Sequence, residues 1–369
     1  MTRNEFFKEL RQSITNVPAD ALEEILSDLN EHFDAGLEDG LQENEVCKNL
    51  GQPGSIAEEI MEEFKRSKTE SNPEHPLVFV FGGHANQGSR SGQGSWHQSA
   101  YVNDADYISI DQTFANVNEV YVDMKVSDIY FERENRSDFR VVVNGKSKKS
   151  KYSIDNINGR LEVIEHESFF RFFSFSRKRT LETTIYVPSQ FTGSITAKSA
   201  VGKIRTKDLT SPIKLSTSAG SVYVEKHLSE TADLDSAAGS ITADFLGKTA
   251  LRACTGAGSI KLRANETSEL LLDSGAGSVK AEINKLSGNS KLSSGAGSIK
   301  LTAYEVAGDI KLSSGAGSIK AFLPEDANIK LKLAKSSMGS VKSEINGNNS
   351  SPYTLRAQTG MGSVRILRL

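Results

Sequence analysis

Six bases offer the clearest chemistry in this 369-residue chain: Lys261, Lys280, Lys300, Lys320, Lys342 and Arg365. Each directly follows an Ile or Val, and they stand 19, 20, 20, 22 and 23 residues apart. If the aliphatic neighbour faces a core, strand alternation turns the base outward. Stacked repeats would then set the bases about 4.8 Å apart in a stripe. Like charges at that distance repel by roughly 0.9 kcal/mol per neighbouring pair in bulk water, before salt screening. Two readings stay open: a solvated face that protects strands from aggregation, or an anion-binding stripe for acidic polymer or lipid headgroups.

A second candidate lies at 169–179, where Phe170, Arg171, Phe172, Phe173, Arg177, Lys178 and Arg179 crowd together with Phe169 and Phe175. Alternation sends Phe170 and Phe172 opposite to Phe169, Phe173 and Phe175, more than one strand can bury on one face. A two-sided buried strand or a cap on a repeat array is one reading. A membrane-surface or partner-docking hairpin is the other.

Other chemistry finds no support. The phrase Gly-Ala-Gly-Ser resembles a phosphate-cradling loop, but it lacks the Gly-Lys-Ser/Thr ending, opens no helix and recurs throughout the second half. Calcium-binding β-rolls need an aspartate in each repeat, where this chain has Ser or Ile. His84 and His97 are thirteen residues apart in a Gly/Ser/Gln-rich stretch without nearby Cys, Asp or Glu, a poor metal site. His32, between Glu31 and Phe33, reads as a packing or surface histidine. Cys47 and Cys254 form no CxxC pair, which argues against a disulfide framework or a zinc site and fits a reducing compartment. No Gly-x-Ser-x-Gly elbow joins a credible histidine and acid. The expectation is a protein that is not an enzyme, with no catalytic residues, metal or cofactor.

The elements that must position the bases are repeats. Aligned on the second glycine of the phrase, Gly202, Gly220, Gly239, Gly258, Gly277, Gly297, Gly317, Gly339 and Gly362 are spaced 18 to 23 residues apart. A period near 20 suits one turn of a β-solenoid. Each unit carries two alternating runs, such as Lys291-Leu292-Ser293-Ser294 before the glycine and Ser259-Ile260-Lys261-Leu262 after it, so two short strands per turn are expected. Val222, Ile241, Ile260, Val279, Ile299, Ile319, Val341 and Val364 should form one aliphatic column, in that order. The glycines are expected to supply positive φ for the arcs between strands.

Ahead of the repeats, residues 1–66 read as helices. Thr2 and Glu5 make a capping box before Phe6, Phe7, Leu10 and Ile14. A second run carries Leu22, Ile25, Leu26, Leu29 and Phe33. A third, with Val46 and Leu50, ends at Gly51, and a fourth carries Ile56, Ile60, Met61 and Phe64. Glu31-His32-Phe33, Gly36, Gly40, Glu43, Glu45, Leu50-Gly51-Gln52-Pro53 and Ile56-Ala57-Glu58-Glu59-Ile60 closely resemble the HAAS domain, also called DUF1700. Such domains often head bacterial membrane proteins and are associated with PadR-like transcriptional regulators. The resemblance therefore implies a protein partner for the head, with a PadR-like regulator as the candidate.

Residues 67–76, with Pro73 and Pro76 and no apolar residue, read as a linker, 77–81 as a first strand and 82–99 as a mobile loop. From Tyr107 onward, alternating runs joined by polar turns such as Asn144-Gly145 and Asn158-Gly159 predict an irregular β region over 77–190, with solenoid repeats over 191–369. The succession of irregular strands, Tyr186-Val187-Pro188-Ser189 and Gly-Ser-Ile-Lys coils resembles the DUF4097 family, described as adhesins with β-strand repeats. The expected class is α+β, a small N-terminal helical domain followed by a two-sheeted, parallel β-helix-like array of coils of about 20 residues.

Net charge is only −3, yet residues 1–70 hold seventeen Asp and Glu against seven Lys and Arg, and 251–369 hold nine acids against sixteen bases. No stretch approaches eighteen apolar residues, and the N-terminus lacks the apolar run of a signal peptide. A cytoplasmic location is expected, with peripheral attachment at the inner face of the membrane as an option. The expected function is a non-enzymatic bacterial scaffold. The family resemblances imply envelope-stress or PadR-type signalling, and the alternative is a surface adhesin for cell-wall polymer or another cell. The solenoid is the candidate site for an anionic membrane surface or polymer, and direct nucleic-acid binding is not expected.

Overall fold

The computed structural model describes residues 1–15, 17, 22, 26, 29–30, 33–34, 37, 41–58, 60–61, 101–104, 107–146, 151–166, 180–333 and 338–369. They belong to two compact units, Met1–Gly92 with Glu167–Lys178, and Gln93–His166 with Arg179–Leu369. His32, the expected linker, the strand at 77–81, the loop at 82–99 and the whole Phe/Arg stretch lie outside the described residues.

The described residues of the first unit are mainly helical. In α1 (Arg3–Ser13), the Thr2 hydroxyl accepts the Glu5 N–H and the Glu5 carboxylate accepts the Thr2 N–H at 2.8 Å, the reciprocal cap read from the sequence. Helix α2 (Glu43–Leu50) stops at Gly51, whose φ of 95° is left-handed. Phe6, Leu10, Leu26, Leu29, Phe33, Val46, Leu50, Ile56 and Ile60 share one core, with Phe6 and Phe33 edge to face at 5.5 Å.

The second unit is the solenoid. Each coil gives one strand to each of two parallel ladders. In the first, Ile129, Ile204, Val222, Ile241, Ile260, Val279, Ile299, Ile319, Val364 and Val341 are successive partners. In the second the series is Val120, Ile195, Ile213, Ala232, Leu251, Leu270, Ser290, Ile310, Leu355 and Leu331. The long strands Ile241–Thr255 and Ile260–Ser274 serve both ladders in turn. Side chains alternate between core and solvent along the inner ladder strands, such as Ile213–Ala219 and Val279–Leu286, and the two inward faces meet in a single core.

Chain order and spatial order part company at both ends. The coil at 119–134 sits between Ser194–Val201 with Ile204–Lys207 on one side and Arg160–His166 with Thr180–Pro188 on the other. The ladders therefore begin well before residue 191, within the region expected to be irregular. At the C-terminal end, Thr354–Met361 and Val364–Arg368 are inserted between the coil at 310–323 and the later-stacked strands Lys330–Leu333 and Val341–Ser343. The expected order of the column is corrected accordingly: Ile319 stacks on Val364, not Val341. Composition explains the exchange. Leu355, Ala357, Val364 and Ile366 are fully buried in the interior slot, whereas the outer coil reads Lys-Leu-Lys-Leu and Val-Lys-Ser, and lysines suit an open strand edge.

Two turn expectations divide. Asn158 (φ 54°) and Gly159 (φ 86°) join Lys151–Ile157 to Arg160–His166 in a tight antiparallel hairpin, as expected. Asn144-Gly145 instead lies inside the strand Phe139–Lys146, paired on both sides with antiparallel neighbours.

The expectation of positive φ holds at Gly202 (155°), Gly339 (158°) and Gly362 (132°), but the inner repeat glycines work differently. Gly239, Gly258 and Gly277 are not in the left-handed region. A Cβ on Gly258 would sit 2.1 Å from the Gly239 carbonyl oxygen, and one on Gly277 would sit 2.1 Å from that of Gly258. Glycine is required because backbones of adjacent coils approach too closely for any side chain. Buried hydroxyls then hold the carbonyls: Ser236 donates to Gly220, Thr255 to Gly239, Ser274 to Gly258, Ser294 to Gly277, Ser314 to Gly297 and Thr359 to Gly317, all at 2.7–2.8 Å. This ladder satisfies acceptors at the arc that no strand partner reaches.

Candidate functional site: two unpaired basic rows

Parallel register brings the six predicted bases into one row, ordered Lys261, Lys280, Lys300, Lys320, Arg365 and Lys342. All six point outward and are exposed. None forms an ion pair among the described residues, and Lys300 Nζ lies 4.8 Å over the Phe322 ring. Four acids near this face are paired with other bases, Glu266 with Lys248 at 3.0 Å, Glu282 with Arg263 at 3.8 Å, Glu305 with Lys285 at 2.7 Å and Glu325 with Arg368 at 3.0 Å, while Glu344 accepts the Arg368 N–H and Asp244 stands in register with Arg263. The row keeps its charge uncompensated.

Beside it runs a row of serines two residues upstream on the same face. Ser240, Ser259 and Ser298 each accept, through Oγ, the N–H of the serine one coil on, at 3.2–3.4 Å, and Ser318 accepts that of Ser363. A hydroxyl that accepts a backbone N–H retains its own proton to donate. Ammonium groups and oriented hydroxyls together form a donor surface matched to anionic oxygens.

The second ladder carries a row that reading the sequence missed: Lys291, Lys311, Arg356 and Lys332, in register and exposed, with no ion pair among the described residues. Ser293, Ser313 and Gln358 stand beside it. Two acids stand near it: Asp309 accepts the Thr354 N–H at 2.7 Å, and Asp273 accepts from the Ser293 hydroxyl. The signal was present in the repeated Lys-Leu-Ser of 291–293 and 311–313. Arg356 and Lys332 were hidden by the exchange of coil order.

The same rows in the earlier coils are compensated. Lys214, Asp233 and Arg252 are successive partners on the second ladder, with Asp233 3.7 Å from Lys214 and 2.7 Å from Arg252. A shallow groove lies over these paired charges. On the first ladder Arg205 packs over Tyr223 at 5.1 Å and reaches Glu225 at 3.6 Å.

Of the other predicted site residues, Phe170, Arg171, Phe172, Phe173, Arg177, Lys178 and Arg179 lie outside the described residues. No cluster of three His, Cys, Asp or Glu side chains that could hold a metal occurs among the described residues. Burial pushes the Cys47 and Cys254 thiols up, away from the thiolate form. His227 is fully buried, with Nε2 3.0 Å from the Ser211 carbonyl and 2.9 Å from Ser229 Oγ, and burial lowers it to about 4. It is a neutral core histidine edge to face with Phe245.

Residues 117–366 match the profile of the family described as Toastrack DUF4097. The chain belongs to that family. Residues 5–59 of the helical unit match HAAS. Among solved structures, a "putative adhesin" from Parabacteroides merdae is 13% identical with TM-score 0.42, covering 71% of this chain and 96% of that one. A "putative adhesin" from Bacteroides fragilis is 16% identical with TM-score 0.37, covering 72% and 98%. A "putative lipid binding protein" from Parabacteroides distasonis is 9% identical with TM-score 0.37, covering 70% and 96%. No curated protein matches the chain. The basic rows occupy the later coils of the Toastrack region. No described helix is long and apolar enough to cross a membrane.

Proposed function

We propose that this protein is a non-enzymatic binding scaffold whose Toastrack solenoid engages a linear polyanion along the row Lys261, Lys280, Lys300, Lys320, Arg365 and Lys342. The observation that carries the reading is the absence of compensation in that row, when the earlier coils of the same sheets pair their charges. Protection against aggregation accounts for lysines on the outermost strands, but Lys280 and Lys300 stand on strands already paired on both sides. A straight row with one charge about every 4.8 Å favours a linear acidic polymer with roughly one anionic group per monomer. A flat membrane would also press on the neighbouring ion-paired acids. The adhesin reading, attachment to an acidic cell-wall polymer, follows from this surface more directly than signalling does. In this proposal the HAAS-matched unit docks a protein, and a PadR-like regulator in envelope-stress signalling is the partner class its resemblance implies.

The test is binding of the full chain to immobilised polygalacturonate, with neutral dextran and anionic vesicles in parallel. Polygalacturonate should be bound and dextran not, with affinity falling steeply as salt rises. Binding to vesicles alone would redirect the proposal to a membrane surface, and binding to none would remove it.

A further inference from the structure

The second row changes what the solenoid can do with such a ligand. Lys291 and Lys300 belong to the same coil, but one points out of the second ladder and the other out of the first. Between them lies the core, with Leu292 and Ile299 both buried. Facing sheets stand about 10 Å apart, and the side chains on their outer faces extend the separation further. Lys311 and Lys320, and then Arg356 and Arg365, repeat the arrangement, and Lys332 and Lys342 complete it on the outer coil. The later coils therefore form a bar with an unpaired basic row on each of two opposite faces.

We infer that the protein is bivalent, holding one polyanion chain on each face and so cross-linking two chains. This rests on the polymer-binding reading above. A stiff acidic glycan lying along one row cannot fold around the coil to reach the other, so two occupied rows mean two chains. The four bases of the second row span three coil spacings, about 14 Å, and the six of the first span five, about 24 Å, so the first row is the stronger of the two. A protein made only to attach itself to a polymer needs one such face. The second face adds the capacity to join.

The experiment is a sandwich. Full-length protein is captured on immobilised polygalacturonate, washed, and offered fluorescent polygalacturonate in solution. Wild type should recruit the second chain. The variant K291S/K311S/K332S/R356S, left with the stronger first row, should be captured by the immobilised polymer more weakly than wild type and, at equal captured amount, recruit fluorescence only at background. K261S/K280S/K300S/K320S/K342S/R365S should also lose recruitment, because its single remaining row is occupied. All these positions are exposed, and circular dichroism of each variant is the check that it is folded. The charge-keeping variant K291R/K311R/K332R should recruit as wild type does.

Captured wild type that recruits no second chain overturns bivalency and leaves the polymer-binding reading standing. A second-row variant that recruits as well as wild type also overturns it, since bridging would then come from self-association. Wild type that fails to reach the immobilised polymer removes the underlying reading, and the inference with it.

Discussion

The earlier and later coils share two ladders, one core and one register, yet treat their outer charges in opposite ways. At one outward position of the second ladder the earlier coils place Lys214, Asp233 and Arg252, joined by ion pairs from coil to coil. At the equivalent position the later coils place Lys291, Lys311, Arg356 and Lys332, all of one sign. An exposed ion pair is worth up to about 1 kcal/mol, and neighbouring like charges cost a comparable amount before screening. The fold tolerates either arrangement. The unpaired rows are thus not a requirement of stacking, and in the proposed reading a polyanion supplies the negative charge they lack.

The comparison can be broken most severely through what the two regions share. Val279→Asp places a charge without a partner in the later core, and Ile241→Asp does the same in the earlier one. Each should destabilise by several kcal/mol and abolish the cooperative melt followed by circular dichroism. Melts resembling wild type would remove these positions from the core. Gly277→Ala, with its Cβ 2.1 Å from the Gly258 carbonyl, should separate adjacent coils and lower the melting temperature markedly. Gly54→Ala in the helical unit, with nothing within 4 Å, should leave the solenoid transition where it is.

A smaller effect belongs to the earlier coils alone. His227 is neutral in the folded protein down to about pH 4, whereas in the unfolded chain it takes up a proton near 6.5. Between those values the unfolded state binds the extra proton, so stability falls as pH drops from 6.5 to 4 and levels off below. The expected loss is on the order of 2–3 kcal/mol, and His227→Leu should flatten that part of a denaturation profile measured against pH. An unchanged profile would mean that other groups govern it. Smaller still, Ser274→Ala leaves the Gly258 carbonyl without its 2.8 Å donor and should cost about 1–2 kcal/mol in urea unfolding.

What could be read in advance follows from which signals are local. The aliphatic column was legible because Ile260, Val279, Ile299 and Ile319 recur on one period in an unchanged phrase. The stacking order at the end was not, since Gly339 and Gly362 follow at nearly equal intervals and no local feature marks which coil meets Ile319. That order depends on a comparison between whole coils, burying Leu355 and Ile366 rather than the lysine-rich 330–343. Positive φ at Gly202, Gly339 and Gly362 follows the expectation, whereas the role of the inner glycines is not legible, because a carbonyl from the neighbouring coil excludes the Cβ and no residue nearby in sequence reveals it. The first basic row was legible as the last residue of a recurring Gly-Ser-Ile-Lys, while half of the second row depended on the exchanged coils. Asn158-Gly159 and Asn144-Gly145 have the same turn chemistry, and only the strands flanking the second pair decide that it stays extended.

The most direct test gives the later coils the charge pattern of the earlier ones. In Lys280→Glu with Lys320→Glu, acids stand beside Lys261, Lys300 and Arg365, converting repulsion into ion pairs. The measurement pairs the melting temperature with the affinity for polygalacturonate. The expected result is a melting temperature equal to or slightly above wild type, with affinity lowered by at least about tenfold and the residual binding, carried by the second row, still falling with salt. Unchanged affinity in a folded variant would contradict it.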